Sequence, residues 1–344
     1  MGKPLLEIKN LKKFFPIKKG LSNRVIGNVK AVNDVSFTID EHETVGLVGE
    51  SGCGKSTTGN CIVRLLDPDE GEILYYDKEG NVVDLAKIKE KEFRKYRKDI
   101  QMIFQDPFSS LDPRMTTVNI IGEPLSAFTR MTKAEKKAEV EKLMQIVGLR
   151  PEYSDRYPHS FSGGQRQRIG IARAIALNPR FIVCDESLSS LDVSVQAQIL
   201  DLLKQLKETY DMSYLFIAHD LSVVKHICDK VVVMYVGKIV ETAYTEELYA
   251  NPLHPYTEAL LSAVPKTTEG KVIRKEVLEG EVPDPSNPPE GCFFHGRCPY
   301  CTDECLRSTQ ELFEIKTERG TRYTSCIRYR ELKLKGIEEK EDLK

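Results

Sequence analysis

The stretch GESGCGKST, Gly49 to Thr57, constrains this chain more than any other. An apolar, strand-like segment, ETVGLV, runs directly into it, and a helical pattern, TTGNCIVRLL, runs directly out. Strand, glycine-rich turn and helix is the setting in which a P-loop forms. Gly49, Gly52 and Gly54 allow a turn tight enough for successive N–H groups to converge. The helix N-terminus behind them adds its own unpaired amides, so the turn is an anion cradle. Lys55 is placed to reach terminal phosphates and Ser56 to ligate Mg2+, with Glu50, Ser51, Cys53 and Thr57 completing the wrap around a nucleoside triphosphate.

Two further segments read as parallel strands that end at reactive side chains. FIVCDE, Phe181 to Glu186, is an apolar run closed by two acids. Ligands of open α/β sheets bind at the carboxyl ends of strands, which suits Asp185 to the Mg2+ shell and Glu186 to orienting or deprotonating a water. YLFIA, Tyr214 to Ala218, is followed at once by His219, a candidate hydrogen-bond partner for a terminal phosphate.

FSGGQRQR, Phe161 to Arg168, is the most specific element. A Ser hydroxyl, two glycine amides and a helix N-terminus make a second anion cradle. Ser162, Gly163, Gly164 and Gln165 resemble the signature motif of ATP-binding cassette (ABC) ATPases, with Phe161 at a position usually held by Leu. The other family motifs occur in order: Gln105 resembles the Q-loop glutamine, SSLD at Ser189 to Asp192 the D-loop, and His219 the switch histidine. Phe15 resembles the aromatic that stacks on adenine, with Phe14 as the adjacent alternative. The resemblance implies an α/β, P-loop NTPase fold of the ABC ATPase type. It has a RecA-like core, an antiparallel β subdomain, an inserted helical subdomain at about 107–170 and a small C-terminal domain. The domains are then 1–250 and 251–344. It also implies that the signature cradle closes on nucleotide held by the P-loop of a companion ATPase.

Three features narrow the resemblance: the insertion Pro16 to Val32, IFQDPFSSLDPRMT around the Q-loop, and NPLHPYTEALLSAVP at Asn251 to Pro265. Together they are similar to an ATPase subunit that powers di- or oligopeptide import. The implied cofactors are ATP and Mg2+. The implied partners are a paralogous ATPase (a homodimer in isolation), two transmembrane permease subunits and, indirectly, an extracytoplasmic peptide-binding protein. Other cargoes (nickel, glutathione, oligosaccharide) and a non-transport ABC ATPase are the alternatives.

Nine cysteines are present. Cys53, Cys61, Cys184 and Cys228 are spread through the ATPase region and read as small buried hydrophobes. Cys292, Cys298, Cys301, Cys305 and Cys326 cluster in a tail rich in proline and charge. Thiolates at loop spacing select soft metals, Zn2+ or an iron–sulfur cluster. The family resemblance implies a 4Fe–4S cluster on Cys292, Cys298, Cys305 and Cys326, with zinc as the alternative and Cys301 extra. His295 is a candidate ligand but reads rather as a solvated loop residue.

Composition excludes other classes. A net charge of −2 gives no basic footprint for nucleic acid. The basic run KIKEKEFRKYRK, Lys87 to Lys98, could approach a partner or lipid headgroups, but with Glu90 and Glu92 interrupting it the run reads rather as a solvated helix face. No apolar stretch approaches the ~18 residues of a membrane span, and no signal peptide opens the sequence. The expectation is a cytoplasmic protein, peripheral on the inner face of the membrane through permease subunits. Thr132 and Glu135 form a capping-box pattern ahead of a helix closed by Gly148. Val195, Ile199, Leu202, Leu203 and Leu206 share one apolar helix face, VVVMYVGKIVE reads as a hairpin turning at Gly237, and KGIEEKEDLK reads as a frayed end.

Overall fold

The computed structural model describes residues 2–20, 23–188, 191–264, 266–268, 271–273 and 280–337. Ser189 and Ser190 of the D-loop, Pro265 of the NPLHP segment and residues 338–344 of the charged end lie outside the described residues.

The chain opens on a long antiparallel hairpin, β1 (Pro4–Lys19) with β2 (Arg24–Asp40). The insertion between Pro16 and Val32 is the far end of this hairpin, with Phe15 opposite Val29 and Ile17 opposite Gly27. β3 (Thr44–Val48) leads through the glycine loop into α1 (Lys55–Ile62). β4 (Glu70–Tyr76) returns beside β1 and carries β5 (Val82–Asp84), giving the sheet order β2-β1-β4-β5.

Next come α2 (Glu90–Phe93), a 3-10 turn at Tyr96–Lys98 and β6 (Ile100–Ile103). The charged residues of the run 87–98 are exposed, as a solvated face requires, but the helix they lie on is one short turn followed by a 3-10 turn. Phe93 and Tyr96 are buried and pin the turns down, while Arg97 pairs with Glu90 at 2.5 Å. Helices α3 (Thr117–Phe128), α4 (Lys133–Ile146) and α5 (Gly163–Ile175) pack on one another. The capping box ahead of α4 is formed, with Thr132 Oγ1 accepting from Glu135 N and the Glu135 carboxylate accepting from Thr132 N. β7 (Phe181–Asp185), α6 (Val193–Tyr210) and β8 (Ser213–Ala218) follow. On α6, Ile199, Leu202, Leu203 and Leu206 are buried as the apolar face requires.

The remainder comprises α7 (Leu221–Ile227), the hairpin β9 (Lys230–Tyr235) and β10 (Lys238–Tyr244), α8 (Thr245–Ala250) and α9 (Pro255–Ser262). The short pair β11 (Lys266–Thr268) and β12 (Lys271–Ile273) precedes a final hairpin, β13 (Phe313–Lys316) and β14 (Thr321–Thr324).

These elements belong to two compact units. One holds the described residues of Met1–Asp40, Thr44–Lys87 and Ile217–Lys344; the other holds Glu41–Glu43 and Ile88–Phe216. In the first, the strand order is β13-β14-β10-β9-β3, with β9 parallel to β3 and β14 antiparallel to β10. The C-terminal hairpin thus extends the sheet that carries the glycine loop. In the second, β7 runs parallel to β6 and is flanked by β8. β3 and β7 are buried along their whole length, which is why they read as unbroken apolar runs rather than alternating ones. Cys53, Cys61, Cys184 and Cys228 are buried, as expected of small hydrophobes.

Candidate functional site

The glycine loop is held open by backbone conformations closed to most residues. Gly49 has φ +152 and its absent Cβ would meet the Met234 carbonyl oxygen; Gly54 has φ +104 and its Cβ would meet that of Ala31. Only glycine satisfies both the torsion and the close approach. Gly54 is the N-cap of α1, so the first amides of that helix face the loop. Lys55 is buried, at 4% exposure, and its Nζ donates to the carbonyls of Gly49 at 2.8 Å and Glu50 at 3.0 Å. Its ammonium therefore sits among the loop oxygens, near where phosphate oxygens would replace them. The Cys53 carbonyl accepts from Gly237 N at 2.9 Å, so the β9–β10 turn fastens the loop. Ser56 follows Lys55 on α1, half-buried.

In the second unit, Asp185 closes β7 and is buried, and Glu186 follows in the left-handed region at φ +39. That torsion strains a non-glycine residue. Gln105 Nε2 donates to Glu186 Oε2 at 2.8 Å, so the two polar residues singled out from distant segments meet. His219 lies exposed just beyond β8, and Asp220 after it caps α7 by accepting from Ser222 N at 2.8 Å.

The signature segment is a capping box. Ser162 Oγ accepts from Gln165 N at 3.4 Å, and Gln165 Oε1 accepts from Ser162 N at 3.0 Å. Gly163 and Gly164 form the first turn of α5. Phe161 is buried, edge-on to Tyr153 at 6.1 Å, so the ring that stands where Leu is usual serves as apolar packing. Asp192 caps α6, its carboxylate accepting from Val195 N at 3.0 Å and from the Ser194 hydroxyl at 2.8 Å. Phe15 is 37% exposed with the Lys13 ammonium 5.8 Å from its ring, whereas Phe14 is half-buried, so Phe15 is the better presented of the two for stacking on a base.

Cys292, Cys298, Cys305 and Cys326 line one cavity of the first unit together with Phe294, His254 and Tyr300. Turns bring them there, with Cys292 N donating to Cys305 O at 2.8 Å. Burial pushes the Cys298 thiol up to about 11 and that of Cys326 to about 12, so both are neutral unless a cation compensates a thiolate. Cys301 is exposed. His295 is half-buried, its Nδ1 lying 2.7 Å from Cys292 O, which departs from a solvated loop residue. Among the described residues, no three of His, Cys, Asp and Glu are grouped closely enough to hold a single metal ion.

Several contacts had no local signal. Arg297 donates both terminal nitrogens to Glu50 of the glycine loop, at 2.6 and 2.9 Å, and Glu50 N donates to Tyr256 OH at 2.8 Å. Glu241, fully buried, accepts from Leu253 N, His254 N and Arg322. His254 Nδ1 accepts from Tyr256 N at 3.0 Å and so caps α9. The NPLHPY segment is thereby a fastening of α9, and burial pushes the His254 imidazole down to about 3.

Residues 32–189 match the ABC transporter family, and residues 240–305 match the oligopeptide/dipeptide transporter C-terminal region. The oligopeptide transport ATP-binding protein AppF of Bacillus subtilis (strain 168) is 50% identical over 94% of this chain and 97% of its own. The probable peptide ABC transporter ATP-binding protein y4tS of Sinorhizobium fredii (strain NBRC 101917 / NGR234) is 48% identical over 93% of this chain and 89% of its own. Among solved structures, the ATP-binding cassette MJ0796, dimeric and bound to ADP and Pi in a post-hydrolysis state, superimposes with a TM-score of 0.61. It is 28% identical and covers 70% of this chain and 99% of its own. Among the described residues, no helix is long and apolar enough to cross a membrane. With its glycine loop, signature segment and acid-ended strand in the fold of an ATP-hydrolysing cassette, the chain belongs to the ABC transporter family as an ATPase.

Proposed function

We propose that this ATPase powers uptake of di- or oligopeptides through a membrane ABC importer. The observation that carries the cargo class is the match of residues 240–305 to the oligopeptide/dipeptide transporter C-terminal region, alongside relatives named for peptide transport. In this reading Phe15 stacks on adenine, Gly49 to Thr57 wrap the phosphates, and Lys55 neutralises their developing charge. Ser56, Gln105 and Asp185 hold Mg2+. Glu186 orients the attacking water and His219 hydrogen-bonds the terminal phosphate. Ser162, Gly163, Gly164 and Gln165 close on nucleotide held by a companion ATPase, and Asp192 lies at that junction. The helix-end amides beside Ser162 suit them to an anion presented from outside. Hydrolysis removes the γ-phosphate that joins the two molecules, and the opening is passed to permease subunits that tether the ATPase to the inner membrane face.

For the cysteine cavity the reading is a 4Fe–4S cluster, with zinc as the alternative. Four thiols line it, and thiolates are the ligands such clusters take. Cys292, Cys298, Cys305 and Cys326 would hold it. Bound there, it would cross-link the segment and offer one-electron redox chemistry.

The test is co-purification with the products of neighbouring genes, followed by ATPase assay with and without peptide-loaded binding protein. Stimulation by peptides and by no other cargo is expected. Equal stimulation by nickel, glutathione or oligosaccharide overturns the cargo, and an ATPase indifferent to every permease overturns transport. Ser162→Arg should abolish ATP-driven association while nucleotide still binds the glycine loop. Anaerobic preparations should be brown and contain iron; a colourless protein with equimolar zinc reverses the choice of metal.

A further inference from the structure

We propose that Arg297 is a positioning residue for the nucleotide loop, acting from within the cysteine segment. The inference deepens the nucleotide-binding reading and rests on it. The Arg297 side chain is 5% exposed and donates to Glu50 through both terminal nitrogens, Nη1 to Oε2 at 2.6 Å and Nη2 to Oε1 at 2.9 Å. A fork of this kind fixes direction as well as distance. Nη1 also lies 3.3 Å from Tyr235 OH. The main chain of Glu50 is held separately, its N–H donating to Tyr256 OH. Tyr235, Tyr256 and Phe294 pack together with ring centroids 4.6 to 5.4 Å apart, so the anchors of Glu50 form one aromatic block.

Arg297 is itself rigidly carried. It closes the 3-10 turn His295–Arg297, directly before Cys298. In that turn His295 N donates to Cys292 O at 2.9 Å, Arg297 N to Phe294 O at 3.0 Å and Cys298 N to His295 O at 3.3 Å. Cys292 and Cys298 both line the cysteine cavity. Whatever orders those cysteines therefore orders the arginine.

Two consequences bear on nucleotide affinity. Lys55 Nζ donates to the Gly49 and Glu50 carbonyls, and an incoming phosphate competes for the same ammonium. The Arg297 fork and the Tyr256 hydroxyl do not depend on Lys55, so they keep the loop shaped as those bonds exchange. A loop already shaped loses less entropy on binding. Glu50 also carries a negative charge into a loop that binds a polyanion, and Arg297 neutralises it. Without Arg297 that carboxylate repels the ligand through a partly buried, weakly screened path.

The experiment titrates a fluorescent ATP analogue against the purified full-length protein and measures KM and kcat for ATP. Iron content and thermal unfolding are recorded on the same samples. Arg297→Gln should raise Kd and KM about 5- to 30-fold, with kcat at saturation within about twofold. Combined with Glu50→Gln it should be no weaker than Glu50→Gln alone, because the repelling charge is gone. Arg297→Lys keeps the charge without the fork and should fall between. Unchanged affinity in Arg297→Gln, or penalties that multiply in the double variant, overturns the proposal. If Arg297→Gln does not fold, the lysine variant decides, and wild-type affinity there overturns it. A wild type that binds no ATP would sink the nucleotide-site reading as well. A wild type that binds, indifferent to Arg297, sinks this inference alone.

Discussion

The two segments proposed as anion cradles both lie at helix N-termini, and they are made by different means. The loop ahead of α1 combines positive-φ glycines pressed against carbonyl oxygens with a buried lysine, and is tied down by residues as distant as Gly237, Tyr256 and Arg297. The segment ahead of α5 uses an exposed serine in a capping box, local to four consecutive residues, over a buried Phe161. The first is shaped by the whole sheet around it, as a site that must enclose a ligand requires. The second is shaped by its own helix and leaves Ser162 exposed to solvent.

The largest expected effect separates holding nucleotide from cleaving it. Glu186→Gln should lower turnover about 10²- to 10⁴-fold while ATP binding at the glycine loop stays intact. Single-turnover kinetics with an equilibrium binding titration checks both halves, and normal turnover removes Glu186 from its role. Next is a matched pair of glycine substitutions. Gly54→Ala forces a side chain into φ +104 and against the Ala31 carbonyl, and should cost about 2–3 kcal/mol. Gly163→Ala meets only Leu191 Cδ2 at 3.5 Å, an ordinary contact, and should leave stability within about 0.5 kcal/mol of wild type. Urea midpoints decide it; equal losses would erase the distinction between the cradles.

The legibility of the two cradles differs for the same reason. Both were readable because each is written in consecutive residues whose types answer a backbone demand: glycine where φ is positive, Ser and Gln where a helix start needs capping. β3, β7 and β8 were readable because strands buried on both faces are unbroken apolar runs ending at the acids and the histidine. The Arg297–Glu50 fork spans 247 residues of sequence, and neither partner stands out from the charged residues around it. Glu241 and Arg322 are the same case, a buried pair drawn from two strands that no local pattern couples. In the run 87–98 the solvated charges were legible, whereas the burial of Phe93 and Tyr96 beneath them was not.

An acid titration probes the long-range fastening of the first cradle. His254 caps the helix that carries Tyr256, and burial holds its folded pKa at about 3 against 6.5 in the unfolded chain. Between those values the unfolded state binds a proton that the folded state does not. Stability is therefore complete above pH 6.5 and falls as pH falls, by up to about 1.4 kcal/mol per pH unit. His254→Asn, which keeps a capping acceptor, should flatten this slope in urea unfolding measured from pH 7 to 4. A slope that survives the substitution places its origin elsewhere.

The smallest effect tests the second cradle. Ser162→Ala removes the oxygen that accepts from Gln165 N and should cost about 1 kcal/mol. It should also weaken ATP-driven association with a companion ATPase, so on its own it cannot tell a cap from an anion ligand. Ser162→Asp can. Asp caps as well as Ser, so the thermal midpoint should return to the wild-type value. Its carboxylate, however, would face the partner's triphosphate with like charge, so association in the Glu186→Gln background should stay lost. Recovery of both readouts would mean that Ser162 serves only α5, and that the exposed cradle is a helix start and nothing more.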